Sequence, residues 1–161
     1  MADLLVRLLD LPGLAPALER AQQNGIEIRR AIAPEKHLVM RWVTTTFTAA
    51  WAAECEIAFG RQPLACFIAV KDQELCGFAA YEATCRNFFG PLGVAPAARR
   101  RHVGEALLLS ALHAMRHEGY VYGIIGGVGP SAFFEKAVRA TPIADSEPGI
   151  YRGMLRASSS A

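Results

Sequence analysis

The sequence predicts an α+β domain, a mixed α/β arrangement in which one mixed sheet carries helices on its faces. Three observations carry this. The hydrophobic period is helical before residue 60, strand-like over 65–94 and helical again over 103–117. The 161 residues, 52% hydrophobic and 20% charged, suffice for one core and not for two. At 94–104 a strand hands over to a helix through four basic side chains, and a helix N-terminus in such a place offers an anion site.

Each element has its own local warrant. Residues 3–9 read as a short strand closed by Leu11-Pro12-Gly13, and 14–23 as a helix stopped by Asn24-Gly25. Alternating Ile26 and Ile28 mark a second strand, ended by Pro34. A helix from Glu35 puts Leu38, Trp42 and Val43 on one side, and the β-branched run Thr44-Thr45-Thr46 predicts its break. Another helix covers 49–59 and stops at Gly60. Two apolar runs around Asp72-Gln73 read as a hairpin. The run at 87–94 is a further strand, in which Pro91 removes a ladder donor and predicts an edge, a bulge or a splay. The long helix runs from Val103 or Gly104 to His117 and is capped by Gly119. A strand over 120–128, a short helix over 130–138 and a last strand near 150–155 complete the order. The domain reading is an N-terminal extension at 1–25 (strand plus helix, packed on the main domain), a main domain at 26–155 and a frayed tail at 156–161.

The bulk numbers exclude several classes of function. A formal charge of +2 gives no broad basic field, so neither nucleic acid nor a membrane surface is an expected partner. No apolar run reaches the ~18 residues of a membrane span, and the apolar start MADLLVRLLDLPG lacks a basic leader. Cys55, Cys66, Cys76 and Cys85 form no C-x-x-C pair and read as free core thiols. His113 and His117 are i and i+4 but have no acid or cysteine at ligand spacing, so no metal is expected. A cytoplasmic protein is the expectation, and the apolar composition is compatible with a homodimer.

The chemistry concentrates at Arg99, Arg100, Arg101 and His102. A helix dipole disfavours cations at its start, so that crowding predicts a bound anion there. The first four N–H groups of the helix are unpaired, Gly104 lets an anion approach the backbone, and small Ala106 does the same one step later. The three arginines add charge-assisted bonds to outer oxygens. The segment is neither a P-loop nor a dinucleotide fingerprint.

The stretch LGVAPAARRRHVGEAL resembles the acetyl-CoA motif of the GCN5-related N-acetyltransferase (GNAT) family, in which a strand ending L-x-V leads into R/Q-x-x-G-x-G/A at the head of a helix. Leu92-Gly93-Val94 is the strand end, and Arg101-His102-Val103-Gly104-Glu105-Ala106 is the loop, with Ala106 replacing the commoner second glycine. GGVGPSAFFEKAV is similar to the family's segment after its fifth strand. The resemblance covers 60–155 well and 26–60 weakly. It implies a mixed sheet that splays after Val94 and takes acetyl-CoA as co-substrate between that strand and the one at 120–128. Leu92 and Val94 would pair with the pantetheine arm, and residues 101–106, Val103 and Glu105 included, would hold the pyrophosphate. The implied reaction is direct attack of a small-molecule amine on the thioester, polarised by backbone N–H groups near Val94.

The family's usual acid, a tyrosine, is replaced by Phe134, which cannot donate a proton. Tyr151, in the tail, is the expected replacement donor. Glu82, an acid in an apolar strand, is the candidate base, since burial would raise its pKa toward neutrality. Glu54 and Glu56 do not share a helix face and receive no role. The alternative, favoured by Phe134, is a non-catalytic acyl-CoA-binding or regulatory module.

Overall fold

The computed structural model describes residues 1–156. Apart from Arg156, the expected frayed tail lies outside the described residues. Seven strands form one sheet: β1 (Leu4–Arg7), β2 (Glu27–Arg30), β3 (Cys66–Lys71), β4 (Glu74–Tyr81), β5 (Phe88–Val94), β6 (Tyr122–Ile125) and β7 (Thr141–Pro142). Their order is β2-β3-β4-β5-β6-β1-β7, antiparallel except for the β5–β6 pair. Five helices are α1 (Leu14–Gln22), α2 (Lys36–Thr46), α3 (Ala49–Phe59), α4 (Val103–His117) and α5 (Ala132–Val138). The expected mixed α/β class is the observed one.

Adjacent residues of β4 show how the layers divide. A Cβ at Gly77 would meet Leu107 and Val103 of α4, whereas its neighbour Phe78 packs against Trp42, Phe47 and Trp51 of the α2–α3 region. Helices α1 and α4 therefore cover one face, and α2 and α3 the other. Helix α4 buries more than the single stripe its sequence advertises, Leu109 and Ser110 included, and α1 packs against it.

Three elements differ from the sequence reading. The threonines 44–46 complete α2: Thr44 and Thr45 hydroxyls donate to the carbonyls of Met40 and Arg41, which satisfies them inside the helix. The break comes at Phe47, and Thr48 caps α3 by accepting from the Trp51 N–H. Residues 149–151 form a 3-10 turn, not a strand. The first 25 residues contribute β1, an interior strand hydrogen-bonded to β6 and β7, together with α1. The hairpin at Asp72-Gln73 is as expected, with both residues at positive φ (51° and 65°) as a two-residue loop requires.

Pro91 sits in an interior strand and survives there through a bulge. Tyr81 pairs with Phe89 but Ala79 pairs with Leu92, so Gly90 and Pro91 together oppose one residue of β4. The same bulge parts the sheet. Strands β5 and β6 pair only at Phe88–Ile124 and Phe89–Ile125. The splay therefore opens at Gly90, one bulge earlier than the expected position after Val94.

Candidate active site

The open edge of β5 follows from its register. Ala95 N–H donates to the Cys76 carbonyl at 2.9 Å, so alternation turns the polar groups of Gly93 toward β4 and those of Leu92 and Val94 away from it, into the splay. Arg99 Nε donates to the Val94 carbonyl at 3.3 Å, on that open side. Gly93, in the middle of the motif's strand end, serves packing. A Cβ there would stand 2.6 Å from Phe47 and 2.7 Å from Phe78.

Beyond Val94 the chain makes a basic turn in which Arg100 and His102 both have φ of 61°. Such left-handed residues turn successive amides to one side, an anion-binding shape. His102 is the N-cap of α4, and no side chain caps that end. The amides around Val103, Gly104 and Glu105 thus begin the helix without a side-chain acceptor. Arg99, Arg100 and Arg101 are exposed and have no carboxylate partner among the described residues. Glu105 would repel an anion, but Arg20 of α1 holds its carboxylate at 3.0 Å and His102 Nδ1 lies 3.5 Å from it. Arg20 was not legible as part of this end, since it lies 85 residues from its partner. Ala106 is fully buried beneath the turn. A Cβ on Gly104 would lie 3.5 Å from the Phe133 ring and 3.7 Å from Val94. The uncapped amides, the bare glycine and the outward-facing edge at Leu92 and Val94 fit the pyrophosphate and amide arm of acetyl-CoA.

Phe133 and Phe134 stack edge to face with centroids 5.0 Å apart, and Phe134 meets Phe89 at 6.4 Å. Phe134 lines a cavity of about 940 Å³ that starts between Leu92 and Val128 and continues to α3 and the chain's tail. Tyr151 lines this cavity too. Its ring lies 2.9 Å from the Cβ position of Gly127 and its hydroxyl 3.3 Å from that of Gly126, so both glycines are needed for the tyrosine to lie there. Burial raises the Tyr151 phenol above its ordinary pKa, and the charges of Glu54, Asp3 and Cys85 raise it further. The phenol stays protonated through the neutral range.

Two residues to which the sequence reading gave no role complete this end. Glu54, on α3, lines the cavity and accepts a hydrogen bond from the Thr84 hydroxyl at 2.5 Å. That bond ties α3 to the β4–β5 connection. Asp3, at the head of β1, is 8% exposed and accepts from the Gly127 N–H at 3.0 Å. Its own N–H donates to Ser146 Oγ at 2.8 Å, and its carbonyl accepts from Ile143 N–H at 2.9 Å. Asp3 thereby fastens the β6–α5 loop to the segment that delivers Tyr151.

Glu82 is corrected. It leaves β4 at a positive φ of 56° and does not line the cavity. Its side chain accepts from the Asn87 N–H at 2.5 Å and pairs with Arg61 at 3.2 Å, and its carboxylate raises the Tyr120 phenol above its ordinary pKa. Those bonds brace the β4–β5 connection. The anticipated burial is real, but the partners that come with it serve structure.

The chain matches the model of the acetyltransferase (GNAT) family over residues 36–133, more than half its length. It belongs to the GNAT family. That family's general chemistry is acetyl transfer from acetyl-CoA. Among solved structures, the chain is similar to the GCN5-related glucosamine N-acetyltransferase region of a fungal multi-domain GH3 β-N-acetylglucosaminidase. The TM-score is 0.72 and the identity 14%, over 88% of this chain and 19% of that one. A GCN5-related N-acetyltransferase from Sphaerobacter thermophilus aligns with TM-score 0.64 and 16% identity, over 88% of this chain and 48% of that one. A GNAT acetyltransferase from Brucella melitensis in complex with acetyl-CoA aligns with TM-score 0.50 and 20% identity, over 68% and 80% of the two chains. These likenesses show the GNAT fold. The chain spans about a fifth and about half of the first two proteins. No curated protein sequence matches it.

Proposed function

We propose that this GNAT domain is an N-acetyltransferase that moves an acetyl group from acetyl-CoA to a primary amine of a small molecule. One observation carries the reading: Tyr151, held protonated, stands in the same cavity as the outward-facing edge of β5. It answers the difficulty posed by Phe134, because the phenol lost from α5 is replaced by one from the tail.

Acetyl-CoA supplies the thioester. The outward N–H of Leu92, in the cavity wall, is the donor available to the thioester oxygen, where it stabilises the negative charge that develops on attack. Glu54 receives a proton from the substrate ammonium, which frees the nitrogen lone pair. The nitrogen then bonds to the carbonyl carbon and the C–S bond breaks. Tyr151 gives its proton to the departing sulfur; the second proton that nitrogen sheds as the amide forms returns to Tyr151 through water, and Glu54 releases the proton it took to solvent. Asp3 contributes by positioning, through Gly127 and the segment that carries Tyr151.

Two measurements test this. Calorimetric titration with acetyl-CoA, against ATP, asks whether the cofactor end is real, and micromolar binding selective for the CoA species is expected. Thiol release over an amine panel asks whether transfer occurs. Tight binding without release on any amine would leave the acyl-CoA-binding module as the better reading.

A further inference from the structure

From the composition of the cavity wall we infer the acceptor's class: a primary amine with one positive charge on an apolar, preferably aromatic, body, whose ammonium group is held by Glu54. This rests on the transfer reading above and narrows it.

The wall is apolar on most sides, with Trp51, Phe88, Phe89, Phe134, Ile150 and Met154 among its residues. Among the described residues, no lysine, arginine or histidine side chain lines it. Two carboxylates do. Glu147 pairs with the Met1 amino group. Glu54 spends only Oε1, on Thr84, and its Oε2 has no partner among the described residues. The cavity therefore presents one uncommitted negative oxygen amid aromatic and aliphatic surface.

Each rival amine meets a specific obstacle. The carboxylate of an amino acid would enter a cavity with no cationic side chain, with the Met1 ammonium already paired to Glu147 and with Glu54 already there, so its charge would go unpaired. A polyamine would bury a second ammonium group against apolar wall. An amino sugar would bring several hydroxyls, and the wall's few polar side chains cannot satisfy them all. A monoamine with an apolar body leaves neither an unpaired charge nor an unpaired hydroxyl.

The experiment measures kcat/KM by thiol release at saturating acetyl-CoA for matched amines. Phenethylamine and phenylalanine share a body and differ by a carboxylate; hexylamine and 1,6-diaminohexane differ by a second ammonium. Glucosamine completes the panel, with tyramine as a one-hydroxyl control. Phenethylamine should exceed phenylalanine by about 100-fold, in keeping with like charges brought together in a desolvated site. Tyramine should stay within about tenfold of phenethylamine, since apolar pockets reject a single hydroxyl weakly. Hexylamine should exceed the diamine, and glucosamine should be poorest. Glu54→Gln should narrow the phenethylamine-to-phenylalanine ratio by about tenfold through loss of the repulsion, a change that merely loosened packing would not produce. Equal or better turnover of phenylalanine, the diamine or glucosamine overturns this inference and leaves the transfer reading standing. Tight acetyl-CoA binding with no turnover of any amine overturns the transfer reading, and the inference falls with it.

Discussion

The two ends of the cleft are built by opposite means. At the cofactor end the groups are backbone amides from one continuous stretch, with Leu92 and Val94 on the strand edge and Val103 to Glu105 at the helix head. At the acceptor end the groups are side chains from distant segments: Glu54 on α3, Thr84 after β4, Tyr151 in the tail, and Asp3 behind it, just before β1. The first end depends on backbone conformation and on the absence of side chains. The second depends on how separate segments meet. Damage at one should therefore spare the other.

The largest effect is expected at the backbone end. Gly104→Asp puts a negative side chain where the amides converge and should weaken acetyl-CoA binding by at least about 100-fold, or about 2.7 kcal/mol. Calorimetry reads this directly, and unchanged affinity would remove the pyrophosphate assignment. At the other end, Tyr151→Phe should lower kcat by about 100-fold, the low end of the range for general acid catalysis. The Kd for acetyl-CoA should not change. The wild-type rate should also fall at alkaline pH as the phenol ionises, above the ordinary tyrosine range because its pKa is raised. A Tyr151→Phe enzyme that kept both its rate and its alkaline limb would take the acid role away from this residue.

Packing beneath β5 offers a contrast with both ends. Gly93→Ala drives a methyl group into Phe47 and Phe78 and should cost about 1–3 kcal/mol in urea unfolding. Asp3→Ala should cut kcat several-fold while leaving the acetyl-CoA Kd unchanged, because it frees only the acceptor-side loop. A matching loss of cofactor affinity would contradict the separation of the two ends. Arg101→Ala should weaken acetyl-CoA a few-fold, with the deficit shrinking as salt screens the charge.

The smallest effect lies outside the cleft. Tyr81 donates to Glu118 and receives a bond from Arg30. Burial first, then Glu118, pushes its pKa up to about 12. A raised folded-state pKa contributes stability that is complete below the unfolded value near 10 and disappears as pH rises through about 12. Tyr81→Phe should therefore cost about 1 kcal/mol at neutral pH. The gap from the wild type should close over that alkaline window in urea titrations.

The history of the candidate acids shows where sequence reading has force. Glu82 stood out because it interrupts an apolar strand, and it is indeed buried. Its partners, Arg61 and the Asn87 amide, are invisible along the chain. Glu54 did not stand out, because helical spacing from Glu56 says nothing about which acid faces the cleft. Thr84, 30 residues away, decides that. Tyr151 could be nominated as a spare phenol near the C-terminal end of the sequence, but only Gly126 and Gly127 show where its ring rests.

By itself the sequence determined the alternation of helix and strand, the turn at Asp72-Gln73, an irregularity in the strand at Pro91 and the basic turn that leads into α4. All of these follow from backbone conformation and from interactions within a few residues. Only the tertiary structure decided that β1 enters the sheet beside β6, that the splay opens at Gly90, and that Glu54 rather than Glu82 reaches the cleft. Those outcomes depend on side chains and strands far apart in the chain, and their meeting is set by packing, which no local pattern encodes.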